Sequence, residues 1–201
     1  VHMEEDTAKL LHGAEETLID FNRSGVPLVE IVTEPDFRNV QEIDLYLKKI
    51  QQIVRYLDVS DADMEKGTMR CEPSISLKKT NGQLQFPMPN DQLPNYRVEI
   101  KNINSFRFAR RAIEAEILRQ TKILETGGTI KQETRGWSEK QNATLPQRGK
   151  EDAKDYRYFP EPDIPPMRWD KSKVESIRRE IPELPDAKRF RFMKDYGLNE
   201  Y

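Results

Sequence analysis

The longest regular pattern in this 201-residue sequence is helical, and it runs from Ser105 to the glycine pair Gly127 and Gly128. Serine is a preferred N-cap residue and glycine a common stop, so both ends of a helix are marked. Between them a stripe recurs at helical spacing and contains Ala109, Ala112, Ile113, Glu116, Ile117, Gln120, Ile123 and Leu124. The pattern predicts one long helix whose stripe is apolar except at Glu116 and Gln120.

Shorter patterns predict the remaining elements. Asn39 begins a second helix, with Glu42 three residues later as its capping-box partner. Polar turn residues at 22–25 separate two segments rich in branched residues, which is typical of strand, turn and strand. Further predictions are strands within 69–78 and 97–102, a hairpin from 129–137 and 143–148, and helices at 171–181 and 186–196. The proline-rich residues 158–166 are predicted to be extended, with a domain boundary near Pro166.

Composition excludes several classes of function. The chain has 33 basic and 35 acidic residues, so any surface for nucleic acid must be local. The single cysteine, Cys71, rules out a disulfide within the chain and, with only two histidines, a Cys/His zinc site; it is expected to point into the core. No apolar run approaches the roughly 20 residues of a membrane helix. Because neither end resembles a natural terminus, we expect an excerpt of a longer protein.

Two acidic segments suggest a site. Glu4, Glu5 and Asp6 are consecutive, and Glu30 lies within the apolar run of residues 27–33. A carboxylate among apolar neighbours is costly unless it is paired or binds a metal. Two explanations stay open for Glu30. One is a Mg²⁺ site built from hard oxygen ligands, and the other is an ion pair with an arginine or a solvated strand face.

Basic residues on the long helix suggest a second surface. They are interleaved with Phe106 and Phe108 and comprise Arg107, Arg110, Arg111, Arg119 and Lys122. Such residues could contact an RNA backbone. Because Glu114, Glu116 and Glu125 dilute the charge, the pattern favours a solvated face with ion pairs four residues apart.

Polar residues also crowd the end of the strand before this helix, where Glu99, Lys101 and Asn102 lie. Helix N-termini present outward-pointing amides, so such junctions often form sites, although a cap with a salt bridge is the favoured interpretation. Neither a P-loop nor a dinucleotide-binding glycine motif is present. If ATP binds here, its phosphates are therefore not held by a P-loop.

Six segments of the chain read, in order, HMEEDTAK, DFNRSGVPLVEIVTEPD, MRCEPSIS, VEIKNINSF, GGTIKQETRGW and DYRYFPEPDIPP. Taken together they resemble the GatB family, the B subunits of aspartyl/glutamyl-tRNA amidotransferases, from His2 to about Tyr196. The resemblance implies an α+β fold with a cradle-type domain at 1–166, whose sheet is twisted and mostly antiparallel and whose N-terminal part is missing. Residues 167–201 would begin a helical domain.

The resemblance also implies an activity. Family members are carbon–nitrogen ligases that work in a heterotrimer with an amidase, the A subunit, and with a C subunit. They use ATP and Mg²⁺ to activate the side-chain carboxyl of Glu-tRNA(Gln) or Asp-tRNA(Asn) as an acyl phosphate. Ammonia channelled from the amidase then attacks the acyl carbon and displaces the phosphate. We expect a bacterial cytoplasmic protein, or an organellar one, whose fragment is inactive alone. The alternative is a non-catalytic tRNA-binding or assembly module of the same fold.

The motifs that match the family indicate which residues of this chain would form the family's site. The resemblance assigns Glu4 and Glu30 to the metal and places Glu5 and Asp6 beside the site or at the channel mouth. Further candidates to line the pocket or channel are Asn22, Arg23, Arg70, Glu72, Glu99, Lys101 and Asn102. The chain departs from the family pattern at Glu72 and Ser74, where aspartate and asparagine are expected, and the glutamate side chain is longer than aspartate by one methylene group.

Overall fold

The computed structural model describes residues 1–13, 15–80, 83–85, 93–147, 165 and 167–199. The chain forms two compact units, Val1–Asp36 and Phe37–Tyr201. Within the described ranges, no helix combines the length and the apolar character that a membrane crossing requires. The boundary predicted near Pro166 is a different division, and it stays a prediction.

Four short strands make up the first unit: β1 (His2–Glu5), β2 (Lys9–His12), β3 (Thr17–Asp20) and β4 (Pro27–Glu30). β2 pairs antiparallel with β3, and β1 pairs antiparallel with β4. The two strands predicted on either side of residues 22–25 therefore exist, but each pairs with a different partner. The two pairs are nested along the chain, because the β2–β3 hairpin lies between β1 and β4 in the sequence. Residues 21–26 therefore connect β3 of one pair to β4 of the other.

The second unit is larger and mixed. Its elements are α1 (Val40–Tyr56), β5 (Ser74–Ile75), β6 (Lys78–Thr80), β7 (Gln83–Gln85), β8 (Val98–Lys101), α2 (Phe106–Glu125), β9 (Glu133–Ser138), β10 (Ala143–Pro146), α3 (Lys171–Glu180) and α4 (Pro185–Tyr196). Four strands form a sheet in the order β10-β9-β8-β5, while β6 pairs with β7. Only the β8–β9 pair is parallel in the described chain. The α+β class is thereby confirmed, and the pairings among the described residues are mostly antiparallel, although they form several small sheets instead of one.

Local signals fixed the helix ends as predicted. Asn39 Oδ1 accepts a hydrogen bond from the Glu42 amide at 2.9 Å, and Ser105 Oγ accepts one from the Phe108 amide at 3.1 Å. Gly127 follows α2 with a φ of 77°, a left-handed value that glycine adopts readily. The predicted strand at 69–78 shortens to β5, whose register continues past Pro73. The extended segment predicted at 158–166 lies, apart from Pro165, outside the described residues.

Helix α2 sets which face of the sheet is buried. It is the crossover that joins the parallel strands β8 and β9. Val40, Ile75, Ile100, Phe108, Ala112, Ile113 and Trp137 form the core cluster between helices and sheet. Because side chains alternate along a strand, burial of Val98 and Ile100 sends Glu99 and Lys101 to the opposite, polar face.

Candidate functional site

The carboxylates predicted to bind metal lie on neighbouring strands of the first unit. In the β1–β4 ladder Glu4 is directly opposite Leu28, and His2 is directly opposite Glu30. Directly paired residues share a face, and so do residues two apart on one strand, so Glu4 and Glu30 project from the same face. They are diagonal neighbours, for which the backbone separation is about 7–8 Å. Both are exposed, and neither has an ion-pair partner among the described residues.

This exposure corrects one premise of the sequence argument. Glu30 was expected to be surrounded by apolar neighbours, but in the structure it is exposed, so burial does not force it to find a partner. The strand pairing now carries the case for a shared ligand, because it places two acceptor-only side chains side by side. No cluster of three or more His, Cys, Asp or Glu side chains suited to a metal occurs within the described ranges.

The loop at 22–25 lies next to the end of β1. The Asp6 amide donates to the Val26 carbonyl at 2.9 Å, and the Gly25 amide donates to the Asp6 carbonyl at 3.1 Å. Gly25 has a φ of 79°, and a Cβ added there would lie 3.2 Å from Glu5 Oε1. The left-handed backbone therefore favours glycine, and an added Cβ would displace the end of the Glu5 side chain slightly. The structure thus brings Glu5 and Asp6 to the loop that contains Asn22 and Arg23.

A second group of candidates meets on the polar face of the four-stranded sheet. The β5–β8 register pairs Ser74 with Glu99, and its continuation sets Glu72 opposite Lys101. Lys101 Nζ lies 3.3 Å from Glu72 Oε2 and 3.9 Å from Glu99 Oε2. The three residues form a line of alternating charge that is half-exposed to solvent. The salt bridge favoured for this junction by the sequence is therefore present, and it has two acids.

The neighbouring strand β9 adds residues that the sequence did not single out. Thr134 is paired with Glu99 in the parallel ladder, and its hydroxyl donates to Glu99 Oε2 at 3.3 Å. Gly136 is paired with Lys101, and a Cβ there would meet Asn102 Nδ2 and Gln147 Nε2, each at 2.9 Å. The two carboxamides thus converge over a position that has no side chain. Only the tertiary pairing of β8 with β9 reveals this arrangement.

Arg70 and Cys71 precede this group along the chain. Arg70 is exposed, and its place in any site stays a prediction. Cys71 is half-buried, in part agreement with the expected core position. Burial, reinforced by the negative charge of Glu72, raises the pKa of the Cys71 thiol to about 11. The thiol is therefore neutral at physiological pH, which does not favour a nucleophilic role.

Beneath the sheet lies a buried polar network centred on Glu116 of α2, whose side chain is 0% exposed. Arg119 Nη2 donates to Glu116 Oε1 at 2.6 Å, and Thr144 Oγ1 donates to Glu116 Oε2 at 2.7 Å. Gln120 donates to Glu116 Oε1 at 2.9 Å and also to the Ile75 carbonyl at 3.2 Å. The network therefore connects α2 to both β5 and β10.

Two carboxylates, of Glu116 and Glu133, and two guanidinium groups, of Arg119 and Arg135, balance the charge of this network. Arg135 Nη1 and Arg119 Nη2 both approach Glu133 Oε1, at 3.0 and 3.1 Å, and Arg135 Nε lies 3.5 Å from Glu116 Oε2. Burial alone would raise the pKa of Glu116, but the hydrogen bonds from Arg119, Thr144 and Gln120 outweigh it, so the pKa is lowered. Glu116 is therefore ionised at neutral pH although it is buried. Its position on the apolar stripe was the sequence signal for this network.

Comparison with known protein families identifies the family of this chain. The GatB/GatE catalytic domain matches residues 1–175 of this chain. The chain belongs to the GatB/GatE catalytic-domain family. The resemblance noted from the six sequence segments is confirmed.

Three curated relatives illustrate the similarity, and each is named as the B subunit of an aspartyl/glutamyl-tRNA(Asn/Gln) amidotransferase. The chain is 51% identical over 201 residues to the protein of Persephonella marina, 49% over 203 to that of Caldicellulosiruptor saccharolyticus, and 47% over 207 to that of Thermotoga maritima. In each case the whole of this chain is covered, whereas it spans only 40 or 41% of the relative.

Proposed function

We propose that this chain is part of the B subunit of a tRNA-dependent amidotransferase and contributes to the ATP-dependent amidation of Glu-tRNA(Gln) or Asp-tRNA(Asn). Family membership supports the general activity. The observation that carries the chemistry is the register that sets Glu4 and Glu30 on one face of the β1–β4 pair. We also propose that the sheet and α2 belong to a cradle-type domain that works with the A and C subunits in the cytoplasm.

Glu4 and Glu30 would together hold Mg²⁺. The donor set fits this ion, because Mg²⁺ is commonly bound through one or two carboxylates, with its other positions left to water and phosphate oxygens. Neither acid is committed to a cation within the described chain, so both are available as ligands. When bound, the ion would neutralise charge on the ATP phosphates during transfer to the substrate carboxyl. The adjacent Glu5 and Asp6 would add negative charge that favours cation binding.

The polar face of the sheet would serve the amide-forming half of the reaction. Ammonia needs a polar, shielded route and must arrive unprotonated to displace the phosphate. Lys101, held between Glu72 and Glu99, would contribute donors along such a route while its charge is compensated. Asn102, beside Gly136, would add neutral donor and acceptor groups at the end of β8. These side chains would orient small polar molecules without becoming nucleophiles themselves.

The test uses the natural full-length protein assembled with its A and C subunits. We expect Glu30→Gln to abolish Mg²⁺- and ATP-dependent conversion of Glu-tRNA(Gln) and the accompanying ADP release, because one carboxylate ligand is lost. Glu16→Gln is the matched control, since it removes an exposed acid of the same unit. Unchanged turnover in Glu30→Gln would remove Glu30 from the mechanism. Retention of tRNA by the parent protein without ADP release would favour a non-catalytic binding module instead.

A further inference from the structure

The first two turns of α2 present three arginines to solvent: Arg107, Arg110 and Arg111. Their spacing of three and four residues places them on one side of the helix, within about 6 Å along its axis. Arg107 also stacks on Phe108, with its guanidinium carbon 5.0 Å from the ring centre. Glu114, on the next turn, limits this arginine face to the N-terminal part of the helix.

The arginine face lacks the acidic partners that the sequence led us to expect. Among the described residues, neither Arg110 nor Arg111 forms an ion pair, and Glu114 is unpaired although it follows Arg110 by four positions. Arg119, predicted to belong to the same surface, instead turns inward to Glu116 and Glu133. The face is therefore solvated, as favoured, but the expected ion pairs four residues apart are not found in these two turns of the described chain.

The position of these charges works against the helix itself. The N-terminus of a helix carries partial positive charge, and α2 has no acidic residue in its first turn. An arginine placed four residues before a glutamate is also the weaker order for an ion pair. Residues that oppose local stability are expected mainly where function requires them. A negatively charged partner would offset both effects.

We propose that this arginine face binds the phosphodiester backbone of RNA. Guanidinium groups pair bidentately with phosphate oxygens, and three of them on two helical turns suit a densely charged polymer. Since the chain as a whole carries a net charge of −2, attraction to RNA must come from such a local cluster. Taking the RNA to be tRNA rests on the proposed function. The contact is independent of sequence and would position the substrate instead of reading it.

The experiment measures binding of a fluorescently labelled tRNA transcript to the natural full-length protein, in the complex in which it purifies, across a salt series. The test variant combines Arg107→Gln, Arg110→Gln and Arg111→Gln. The matched control combines Lys79→Gln, Lys131→Gln and Lys140→Gln, which removes the same total charge from exposed positions outside α2. Thermal unfolding of both variants shows whether the fold is retained.

We expect the arginine variant to bind tRNA about tenfold or more weakly at 0.1 M salt. The slope of log affinity against log salt should become shallower by roughly 2 to 3, at 0.7–0.9 for each lost phosphate contact. Its melting temperature should not fall, because charges unfavourable to the helix end have been removed. The control should bind within about twofold of the parent, and polyglutamate should not compete with the tRNA.

Three results would overturn the proposal: unchanged affinity in the arginine variant, equal losses in both variants, or displacement of the tRNA by polyglutamate. The second would mean that only net charge matters, and the third that the partner is an acidic protein. Failure here is distinct from failure of the proposed function. Glu30→Gln is expected to lose turnover with normal tRNA binding, whereas the arginine variant loses binding and regains turnover at saturating tRNA.

Discussion

Replacing Glu116 by glutamine tests how α2 is attached to the sheet. The carboxylate accepts hydrogen bonds from Arg119, Gln120 and Thr144, and it is completely buried. The amide of glutamine keeps the shape but turns one acceptor into a donor that faces guanidinium groups. Removing one partner from a buried ion pair costs about 3–5 kcal/mol. Because Glu133 still pairs with both arginines, we expect the lower end of this range, a decrease of about 3 kcal/mol in the free energy of unfolding.

Urea unfolding followed by tryptophan fluorescence provides the assay. Trp137 is buried in the core cluster of the second unit, whereas Trp169 is exposed and can be removed as Trp169→Phe to leave one reporter. Glu114→Gln is the matched control, since this exposed residue lies on the same helix two positions earlier. It should change the free energy of unfolding by no more than about 0.5 kcal/mol.

The pH dependence gives a second readout of Glu116. Its folded-state pKa is lowered, so its stabilising contribution is present above the unfolded value of about 4.3 and is lost as pH falls through the folded value. The difference between parent and Glu116→Gln should therefore be constant near neutral pH and shrink below about pH 4. A loss below about 1 kcal/mol at pH 7, as for an ordinary surface change, would refute the claim that this network holds α2 to the sheet.

Two further predictions concern Cys71 and Gly136. Since the pKa of Cys71 is raised to about 11, its thiol in the folded chain should react slowly with a disulfide reagent at pH 8 and faster towards pH 11. The urea-unfolded protein should react rapidly at pH 8. Rapid reaction of the folded chain at pH 8 would contradict this prediction. Gly136→Ala should displace the flexible ends of Asn102 and Gln147, lowering kcat/KM of the assembled enzyme while costing less than about 1 kcal/mol of stability. Unchanged kinetics would show that these amides do not serve the reaction.

Much of the secondary structure followed from local sequence signals. Asn39 and Ser105 cap helices through bonds to amides three residues away, so the nearby chain is sufficient to fix them. The β9–β10 hairpin and helices α3 and α4 were located to within a few residues for the same reason. The pairing partners of the strands were harder to predict from the sequence, because pairing depends on segments that are distant along the chain. The nested order in the first unit shows this, since the strands flanking residues 22–25 do not pair with each other.

The residues of the candidate site could likewise be predicted only in part from the sequence. Motifs identified Glu4, Glu30, Glu72 and Lys101 as chemically relevant, and the register then set the first two on one face and the last two in an ion pair. Gly136 and Thr134 could not be found beforehand, since their role depends on the parallel pairing of β8 with β9.

The sequence by itself determined the family, the helix boundaries and the types of residue available for chemistry, because these depend on residue order and on interactions within a few positions. Tertiary structure decided which charges are buried and which are left without acidic partners. Glu116 and Arg119 turn into the protein because β9 and β10 supply Arg135 and Thr144 beneath α2. Arg110 and Arg111 stay outside, since no acidic side chain in the described chain comes within ion-pair distance of them.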